Sequence, residues 1–400
     1  MNDVLTAEIR KTVFDQVVST VSRRFYEPAF HGIDWLRHAG ERRSAALDCA
    51  KRSDFESAVQ HTLGGLKASP LRFYHQSDLT IPFHKAAGAT GRSVANGWML
   101  QDVLTEGPAA GAGLEPGDVV TSIDGRPVDT EALNLPRTAA SHALEVIKRS
   151  GESRAVELTG GPRPTKYVTH SLAAEGIGYI RVSMFPGLVG IDFAREVDRA
   201  IAALSHCRSL IIDLRGNPGG GSGNLRLMSY MTPDRIPVGY SLTRPRAQKG
   251  YKREELAQFR RIPSSKISLI WLALRFKFAD KSIVVVTEGL GGRNFHSRIV
   301  LLVNEHTASG AEIVAGFAKE HQLAVIVGRR TAGRLLGWST FRLEHDYRLV
   351  IPVSNYLTWE GKSFEGMGVT PDEEIDFSTD AAVAGIDNQM EKALEVAASL

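Results

Sequence analysis

Apolar residues recur with the period of a helix at the start of the chain. They are four residues apart, with Lys and Arg at positions between them: Leu5, Ile9, Val13, Val17 and Val21. This spacing places the apolar side chains on one face and predicts an amphipathic helix that packs on a core. The same spacing predicts a second helix over residues 53–67. We therefore expect a helical N-terminal subdomain over residues 1–85.

Between residues 86 and 160 the pattern changes to short apolar runs separated by glycine-containing turns. Residues 154–159 are typical of a strand, and residues 139–150 are predicted to form a helix. Asp124 and Gly125 stand between two apolar runs, which predicts a two-residue hairpin turn. The surrounding pattern GLEPGDVVTSIDGRPV resembles a circularly permuted bacterial PDZ domain. We therefore expect an inserted PDZ-like domain over residues 86–160.

After residue 174 the predicted strands and helices alternate. In chain order they are strand 176–185, helix 191–204, strand 209–217, strand 298–304, helix 311–321, strand 323–328 and a hairpin with strands 341–345 and 347–356. The apolar residues of the strand 209–217 follow one another instead of alternating, which is typical of a strand buried on both faces. Strand–helix–strand order predicts a mainly parallel α/β sheet, and hence an α/β core over residues 161–400.

A candidate nucleophile lies in residues 304–318, NEHTASGAEIVAGFA, between a buried strand and a helix that begins at about Gly310. Ser309 therefore stands at a strand-to-helix turn, where free N–H groups and the helix dipole favour developing negative charge. That position suits a nucleophilic serine with an oxyanion hole. A simple helix N-cap is the alternative interpretation of the same serine.

A glycine-rich loop, DLRGNPGGGSGN, occupies residues 213–224 and follows another predicted strand. Successive N–H groups in such a loop can bind an anion. A phosphate-binding loop is the alternative interpretation, but the Lys-Ser/Thr pair of a Walker motif is absent.

These motifs occur in an order that resembles a known family. The order is LGGLKAS, the PDZ-like insertion, DLRGNPGG, NEHTASGAE, VGRRTAGR and FEGMGVTPDEEI, spanning roughly residues 5–377. It resembles the serine peptidase family of C-terminal processing proteases, tricorn core and interphotoreceptor retinoid-binding protein. The resemblance implies a ClpP/crotonase-like α/β fold. It also implies serine-type endopeptidase activity on peptides or unfolded C-terminal tails.

The resemblance also implies roles for individual residues. Ser309 matches the nucleophile, and Gly310 matches the residue whose N–H contributes to the oxyanion hole. The second oxyanion N–H comes from Gly219 or Gly220. Glu365 and Ser69 match the residues that support the base in the tricorn branch; Ser69, like Glu365, is counted among the catalytic candidates.

The base itself is missing from both positions where the family keeps it. Pro70 occupies the position of the tricorn-type histidine, and Arg334 that of the lysine in the other branch. An arginine cannot act as a base near neutral pH. We predict His75 as the substitute base, because it follows the vacant position closely; His306, His84 and Lys85 are the alternatives. The second hypothesis is a catalytically impaired protein that binds peptides or hydrophobic ligands on this scaffold.

Composition limits the remaining functions. A chain of 400 residues is too long to fold around one ordinary hydrophobic core, so more than one domain is expected. Cys49 and Cys207, the only cysteines, form no disulfide framework and cannot make a four-ligand zinc site. No metal or organic cofactor is implied. The first 25 residues lack the order of a signal peptide, so we expect a cytoplasmic protein, or a periplasmic one if a signal was trimmed.

Residues 244–281 are rich in Lys and Arg with apolar residues between them. They predict a basic insertion in the core that serves as a solvated lid or a contact in a homo-oligomer. Peripheral contact with a membrane surface is the alternative. We expect no nucleic-acid partner, because the net charge is only +3 and no recognition motif accompanies the basic segment. The expected partner is a peptide or an unfolded protein substrate.

Overall fold

The computed structural model describes residues 4–78, 80–128, 134–136, 141–159, 166–187, 189–263, 282–291 and 298–400. The helices of these residues are α1 (Ala7–Arg24), α2 (Trp35–Leu47), α3 (Arg52–Gly64), α4 (Phe83–Ala87), α5 (Pro108–Gly111), α6 (Ile191–Ala203), α7 (Asn224–Ser229), α8 (Arg244–Lys249), α9 (Gly310–Glu320), α10 (Thr379–Val383) and α11 (Asn388–Ser399). The strands are β1 (Arg72–His75), β2 (Thr80–Pro82), β3 (Ala89–Val94), β4 (Gly97–Val103), β5 (Val119–Ile123), β6 (Arg126–Pro127), β7 (Asn134–Pro136), β8 (Ser141–Ile147), β9 (Ser153–Thr159), β10 (Val168–Ala174), β11 (Ile177–Val182), β12 (Ser209–Asp213), β13 (Pro237–Thr243), β14 (Ala257–Phe259), β15 (Ile283–Val286), β16 (Arg298–Val303), β17 (Val325–Gly328), β18 (Gly337–Arg342), β19 (Tyr347–Thr358) and β20 (Glu373–Glu374).

The N-terminal helices pack on strand β19. Thr6 begins α1 by accepting a hydrogen bond from the N–H of Ile9 at 3.2 Å. The buried side chains of α1, α2 and α3 share one apolar cluster with the buried residues of β19: Tyr347, Leu349 and Ile351. The two helices predicted from apolar spacing are therefore confirmed as α1 and α3. Their core is completed by a strand that lies far away in the sequence.

The predicted PDZ-like region forms an antiparallel sheet in the order β3-β4-β5-β8-β9, with β6 paired to β5. Asp124 and Gly125 have φ values of 49° and 72° and connect β5 to β6, whose Ile123 and Arg126 are paired. Two successive positive φ angles are what a tight hairpin turn requires. The predicted hairpin is confirmed.

The predicted helix over residues 139–150 is wrong. Residues 141–147 form strand β8, which pairs with β5 and β9. Every second side chain is buried there: His142, Leu144 and Val146. Ala, Leu and Glu favour helices by intrinsic propensity, but pairing on both sides and burial of one face outweigh so small a preference.

The α/β core predicted from strand–helix alternation is confirmed. Its sheet has the order β10-β11-β12-β16-β17-β20, and β11, β12, β16 and β17 run parallel. Apolar residues of α6, α7 and α9 cover one face, and α11 covers the other. Asp213 at the end of β12 is paired with Leu302 near the end of β16. The loops that follow these two strands therefore leave the same edge of the sheet, and they contain the glycine-rich motif and Ser309.

A second sheet has the order β1-β19-β13-β15-β14, with β18 paired to the other side of β19. The predicted hairpin is confirmed as β18 and β19, but its first strand covers residues 337–342 instead of 341–345. Gly337 at its start is paired with Ser354. Helix α8 begins the predicted basic insertion, of which residues 264–281 lie outside the described residues. The role of the basic insertion as a lid, an oligomer contact or a membrane contact stays a prediction. No helix of the described residues is long and apolar enough to span a membrane.

A chain of ion pairs around the buried Asp213 joins the PDZ-like domain to the core. Asp102 on β4 forms an ion pair with Arg181 on β11, whose Nη1 lies 2.7 Å from Asp213 Oδ2. Arg215 lies 2.8 Å from Asp213 Oδ2 on one side and 2.8 Å from Asp387 Oδ2 on the other. Burial by itself would raise the pKa of Asp213, but the two guanidinium groups outweigh it and hold that pKa well below its usual range. A cavity of about 220 Å³ lies beside this network, between β4 and the core.

Candidate active site

Ser309 stands at a tight turn between β16 and α9. Its φ and ψ are 54° and −119°, a conformation that non-glycine residues rarely adopt. The N–H of Ile313 donates to the carbonyl oxygen of Ser309 at 3.0 Å, so the helix begins directly after the serine. The structure thus has Ser309 at the strand-to-helix turn expected from its sequence.

The buried carboxylate of Glu312 holds this turn. Its Oε2 accepts hydrogen bonds from the N–H groups of Ser309 at 3.0 Å and Arg334 at 2.8 Å. Its Oε1 accepts from Thr331 Oγ1 and from the N–H of Gly333, both at 2.6 Å. Four donors compensate for the complete burial of this side chain, and they tie the serine turn to residues 331–334. The sequence signal of this role is the spacing of Ser309 and Glu312, three residues apart, which is that of a capping box.

Replacing Glu312 with Gln tests this interpretation. The amide group cannot accept at both ends, so one pair of donors would face an NH₂ group. We expect the free energy of unfolding to fall by about 1–3 kcal/mol, the usual cost of leaving buried polar groups unsatisfied. Glu320→Gln is the matched control, because Glu320 lies at the end of the same helix and accepts one N–H, that of Glu360, at 3.3 Å. Equal urea midpoints for the two variants would contradict the role of Glu312.

The glycine-rich loop lies against the serine turn. Gly219 adopts φ 86°, and its N–H donates to Asn217 Oδ1 at 2.8 Å. The N–H groups of Gly220 and Gly310 donate to no acceptor within the described part of the chain. A Cβ built on Gly310 would lie 3.5 Å from Gly220 N, so the two residues are neighbours. This geometry favours Gly220 over Gly219 as the second oxyanion donor.

Hydrogen bonds between the loop and the turn fix their relative position. Asn217 is buried, and its carbonyl oxygen accepts from the N–H of Ala308 at 2.9 Å. Thr307 Oγ1 donates to the carbonyl oxygen of Leu214 at 2.9 Å. Asn304 Oδ1 accepts from the N–H of Gly216 at 2.9 Å. The oxyanion donors and the nucleophile are therefore held by polar residues whose role no sequence pattern indicated.

Glu365 binds the residues that follow the 331–334 segment held by Glu312. Its Oε2 accepts hydrogen bonds from the N–H groups of Leu335 at 2.7 Å and Leu336 at 3.2 Å. Burial raises the pKa of Glu365, and the negative charge of Glu312 adds to the rise. The structure therefore brings Glu365 and Glu312 to adjacent positions of one loop. The side chain of Arg334, between them, is exposed.

Ser69 and His75 are carried by strand β1 and the residues before it, and β1 pairs with the side of β19 opposite β18. Ser69 is exposed and precedes β1, and His75 ends that strand, paired with Tyr347. His75 Nδ1 lies 2.7 Å from Ser77 Oγ. Tyr347 is the first residue of β19. Gly337, which follows the loop held by Glu312 and Glu365, is paired with Ser354, further along β19. At the rise of a strand, Tyr347 and Ser354 are roughly 20 Å apart. The structure does not bring His75 to Ser309, and its role as base stays a prediction without a supporting contact.

His306, an alternative base, faces the PDZ-like domain. Its Nε2 lies 3.0 Å from the carbonyl oxygen of Gly91 and 3.0 Å from Gln101 Oε1. Burial lowers its pKa. These contacts join the loop that carries Ser309 to the PDZ-like domain. Among the residues that the structure describes, no group of three His, Cys, Asp or Glu side chains is arranged to hold a metal ion.

The fold and this site define a class of proteins in which an α/β core with a serine turn carries an inserted PDZ-like domain. The model of peptidase family S41 matches residues 176–375, which is half of the chain. A PDZ domain model matches residues 101–158. The chain therefore belongs to peptidase family S41, which confirms the family expected from the order of its motifs.

Individual relatives agree with this membership. A carboxyl-terminal-processing protease of Synechocystis sp. is 27% identical over 289 residues, covering 68% of this chain and 58% of that protein. The chloroplastic carboxyl-terminal-processing peptidase 2 of Arabidopsis thaliana is 25% identical over 405 residues, covering 91% of this chain and 68% of that protein. The chain thus spans less than two thirds of the length of the first relative.

Solved structures agree on the fold. The photosystem II D1 C-terminal processing protease superposes with a TM-score of 0.61 at 18% sequence identity, covering 97% of this chain and 99% of that one. At this identity the similarity concerns the fold.

Proposed function

We propose that the chain is a serine-type endopeptidase that cleaves peptides or unfolded C-terminal tails through Ser309. The observation that carries the proposal is the turn held by Glu312, which presents Ser309 beside the N–H groups of Gly220 and Gly310. Two N–H groups at a helix N-terminus beside a serine are suited to stabilising an oxyanion.

The reaction follows from this geometry. Ser309 Oγ attacks the scissile carbonyl carbon as its proton passes to a base, and the carbonyl oxygen becomes an oxyanion that accepts from Gly220 and Gly310. The carbon–nitrogen bond then breaks, and the amine leaves with that proton. Water hydrolyses the acyl-enzyme ester and regenerates the serine. The oxyanion donors act mainly in the transition state, because the charge they meet develops only there.

The PDZ-like domain supports a peptide substrate. Within the described strands β3 is an edge strand of that domain, paired only with β4. Extended peptides add to such an edge through main-chain hydrogen bonds. The names of the relatives from Synechocystis and Arabidopsis point to carboxyl-terminal processing, and we extend that substrate class to this chain.

The test uses the full chain and two forms of one unstructured peptide, with a free and with an amidated C-terminus. We expect internal cleavage, detected by mass spectrometry, to be faster for the free carboxylate. Equal rates would contradict recognition of the C-terminus, and intact peptides would contradict the peptidase.

A binding protein on the same scaffold is the second candidate function. Pro70 and Arg334, at the two positions where the family keeps its base, favour it. Peptide binding in the micromolar range, about −8 kcal/mol, without cleavage and without labelling of Ser309 by a fluorophosphonate would support it.

A further inference from the structure

Two carboxylates bind four consecutive N–H groups beside the serine turn. Glu312 accepts from the N–H groups of Gly333 at 2.6 Å and Arg334 at 2.8 Å. Glu365 accepts from those of the two leucines that follow, at 2.7 Å and 3.2 Å. We call residues 333–336 the clamped segment. Its backbone is held in place before any substrate arrives, which lowers the entropic cost of binding through its side chains.

Arg334 is the exposed residue of the clamped segment. The glycine before it and the two leucines after it are buried. Within the part of the chain that the structure describes, its N–H is bound by Glu312, but its guanidinium group forms no ion pair and no hydrogen bond. A guanidinium group is always charged near neutral pH and donates through several N–H groups. These donors are therefore free to bind a molecule from outside the chain.

The position of Arg334 sets it apart from an ordinary surface cation. One oxygen atom, Glu312 Oε2, accepts from the N–H of Ser309 at 3.0 Å and from that of Arg334 at 2.8 Å. Two nitrogen atoms bound in this way to one oxygen lie within about 6 Å of each other. The backbone of the arginine is thus a direct neighbour of the nucleophile.

The reach of the side chain limits what Arg334 can contact. An extended arginine side chain adds roughly as much again to the separation of the two backbones. A peptide in an extended conformation advances about 3.4 Å per residue. The guanidinium group can therefore meet a substrate group that lies up to about four residues from the scissile bond.

The chemistry of the group selects a carboxylate as its ligand. A planar guanidinium group binds a carboxylate through two parallel N–H···O hydrogen bonds. The carboxylates of Glu312 and Glu365, which hold the clamped segment, accept from its backbone and do not pair with the guanidinium group of Arg334. The partner of this cation must therefore come with the substrate.

We propose that Arg334 binds a carboxylate of the substrate within about four residues of the bond that Ser309 cleaves. The carboxylate is either the C-terminus of the peptide or the side chain of an Asp or Glu residue. In the first case the enzyme removes short fragments from the end of a tail. The inference rests on the proposed peptidase function, and it makes Arg334 a residue that determines specificity.

Arg334→Gln removes the charge and tests the proposal on three forms of one peptide. The first form is unmodified, the second has an amidated C-terminus, and the third has amides in place of its Asp and Glu side chains. In the wild type we expect the loss of the bound carboxylate to lower kcat/KM by about 10 to 100-fold, the usual effect of a hydrogen bond to a charged group. The change should appear in KM, because the carboxylate lies away from the reacting atoms. Arg334→Gln should cleave the three forms with similar kcat/KM.

Three further variants separate recognition from a structural defect. Arg342→Gln is the matched control, because Arg342 is also exposed but lies at the end of β18 remote from the clamped segment. It should keep the preference of the wild type. Arg334→Lys keeps the charge without the planar group and should keep part of the preference. Arg334→Glu should favour a peptide with Lys at the same position, which a misfolded variant could not do.

The source of the carboxylate and the two proposals are distinguished by the same rates. A preference lost on amidation identifies the C-terminus, with released fragments of up to about four residues in the mass spectrum. A preference lost with the third peptide identifies an acidic side chain, and either result supports the inference. A preference that persists in Arg334→Gln assigns carboxylate recognition to another site, such as the PDZ-like domain. That result, or a wild type without any preference, overturns the inference and leaves the peptidase standing. A wild type that leaves every peptide intact overturns both.

Discussion

Ser309→Ala is expected to lower peptidase turnover by about 10⁴ to 10⁶-fold, the range found when one member of a catalytic triad is removed. The physical reason is that no acyl-enzyme can form without Oγ. Fold and stability should be retained, because Ala meets the same backbone restriction as Ser at φ 54°. We expect the free energy of unfolding to change by no more than about 1 kcal/mol.

Initial rates on a tail peptide and a urea unfolding curve measure the two effects. Ser205→Ala is the matched control, since Ser205 is an exposed serine that follows α6. Turnover that survives in Ser309→Ala but not in an inhibitor-treated sample would assign the nucleophile to another residue.

Gly219→Ala is expected to have the second largest effect. A Cβ at this position would lie 2.6 Å from Gly310 N, 2.6 Å from Ser309 Cβ and 2.7 Å from the carbonyl oxygen of Ala308. These atoms must move apart, which displaces an oxyanion donor and the nucleophile together. We expect kcat to fall by about 10² to 10³-fold, the usual effect of losing one oxyanion donor.

Gly151→Ala separates the clash from backbone strain. Gly151 has φ 88°, close to the 86° of Gly219, but a Cβ there would meet nothing within 4 Å. Both variants therefore carry the strain of a left-handed alanine, and only Gly219→Ala alters the site. Equal turnover in the two variants would show that the contact between Gly219 and the serine turn does not matter for catalysis.

The candidate site was only partly predictable. The turn at Ser309 follows from a buried strand and a helix that are adjacent in sequence, so local patterns were enough. The choice between Gly219 and Gly220 depended on Asn217, whose side chain occupies the N–H of Gly219. A side-chain hydrogen bond of this kind leaves no periodic signal in a sequence.

The base shows the same limit more clearly. His75 was chosen for its distance along the chain from Pro70, but a short strand carries it to the far end of β19. Distance along a chain says little about distance in space once a sheet pairs remote segments.

Apolar periodicity was sufficient for the elements of the α/β core and for the hairpin at Asp124 and Gly125, because each depends on residues close in sequence. The order of the motifs along the chain was sufficient for the family. Strand β8 was wrongly predicted to be a helix, because its burial depends on its partners β5 and β9, which are remote in sequence or follow it. The contacts of the buried Glu312 carboxylate were likewise decided by the tertiary structure. Three of its four donors belong to residues 331–334, which meet the serine turn only when the strands of the core are in place.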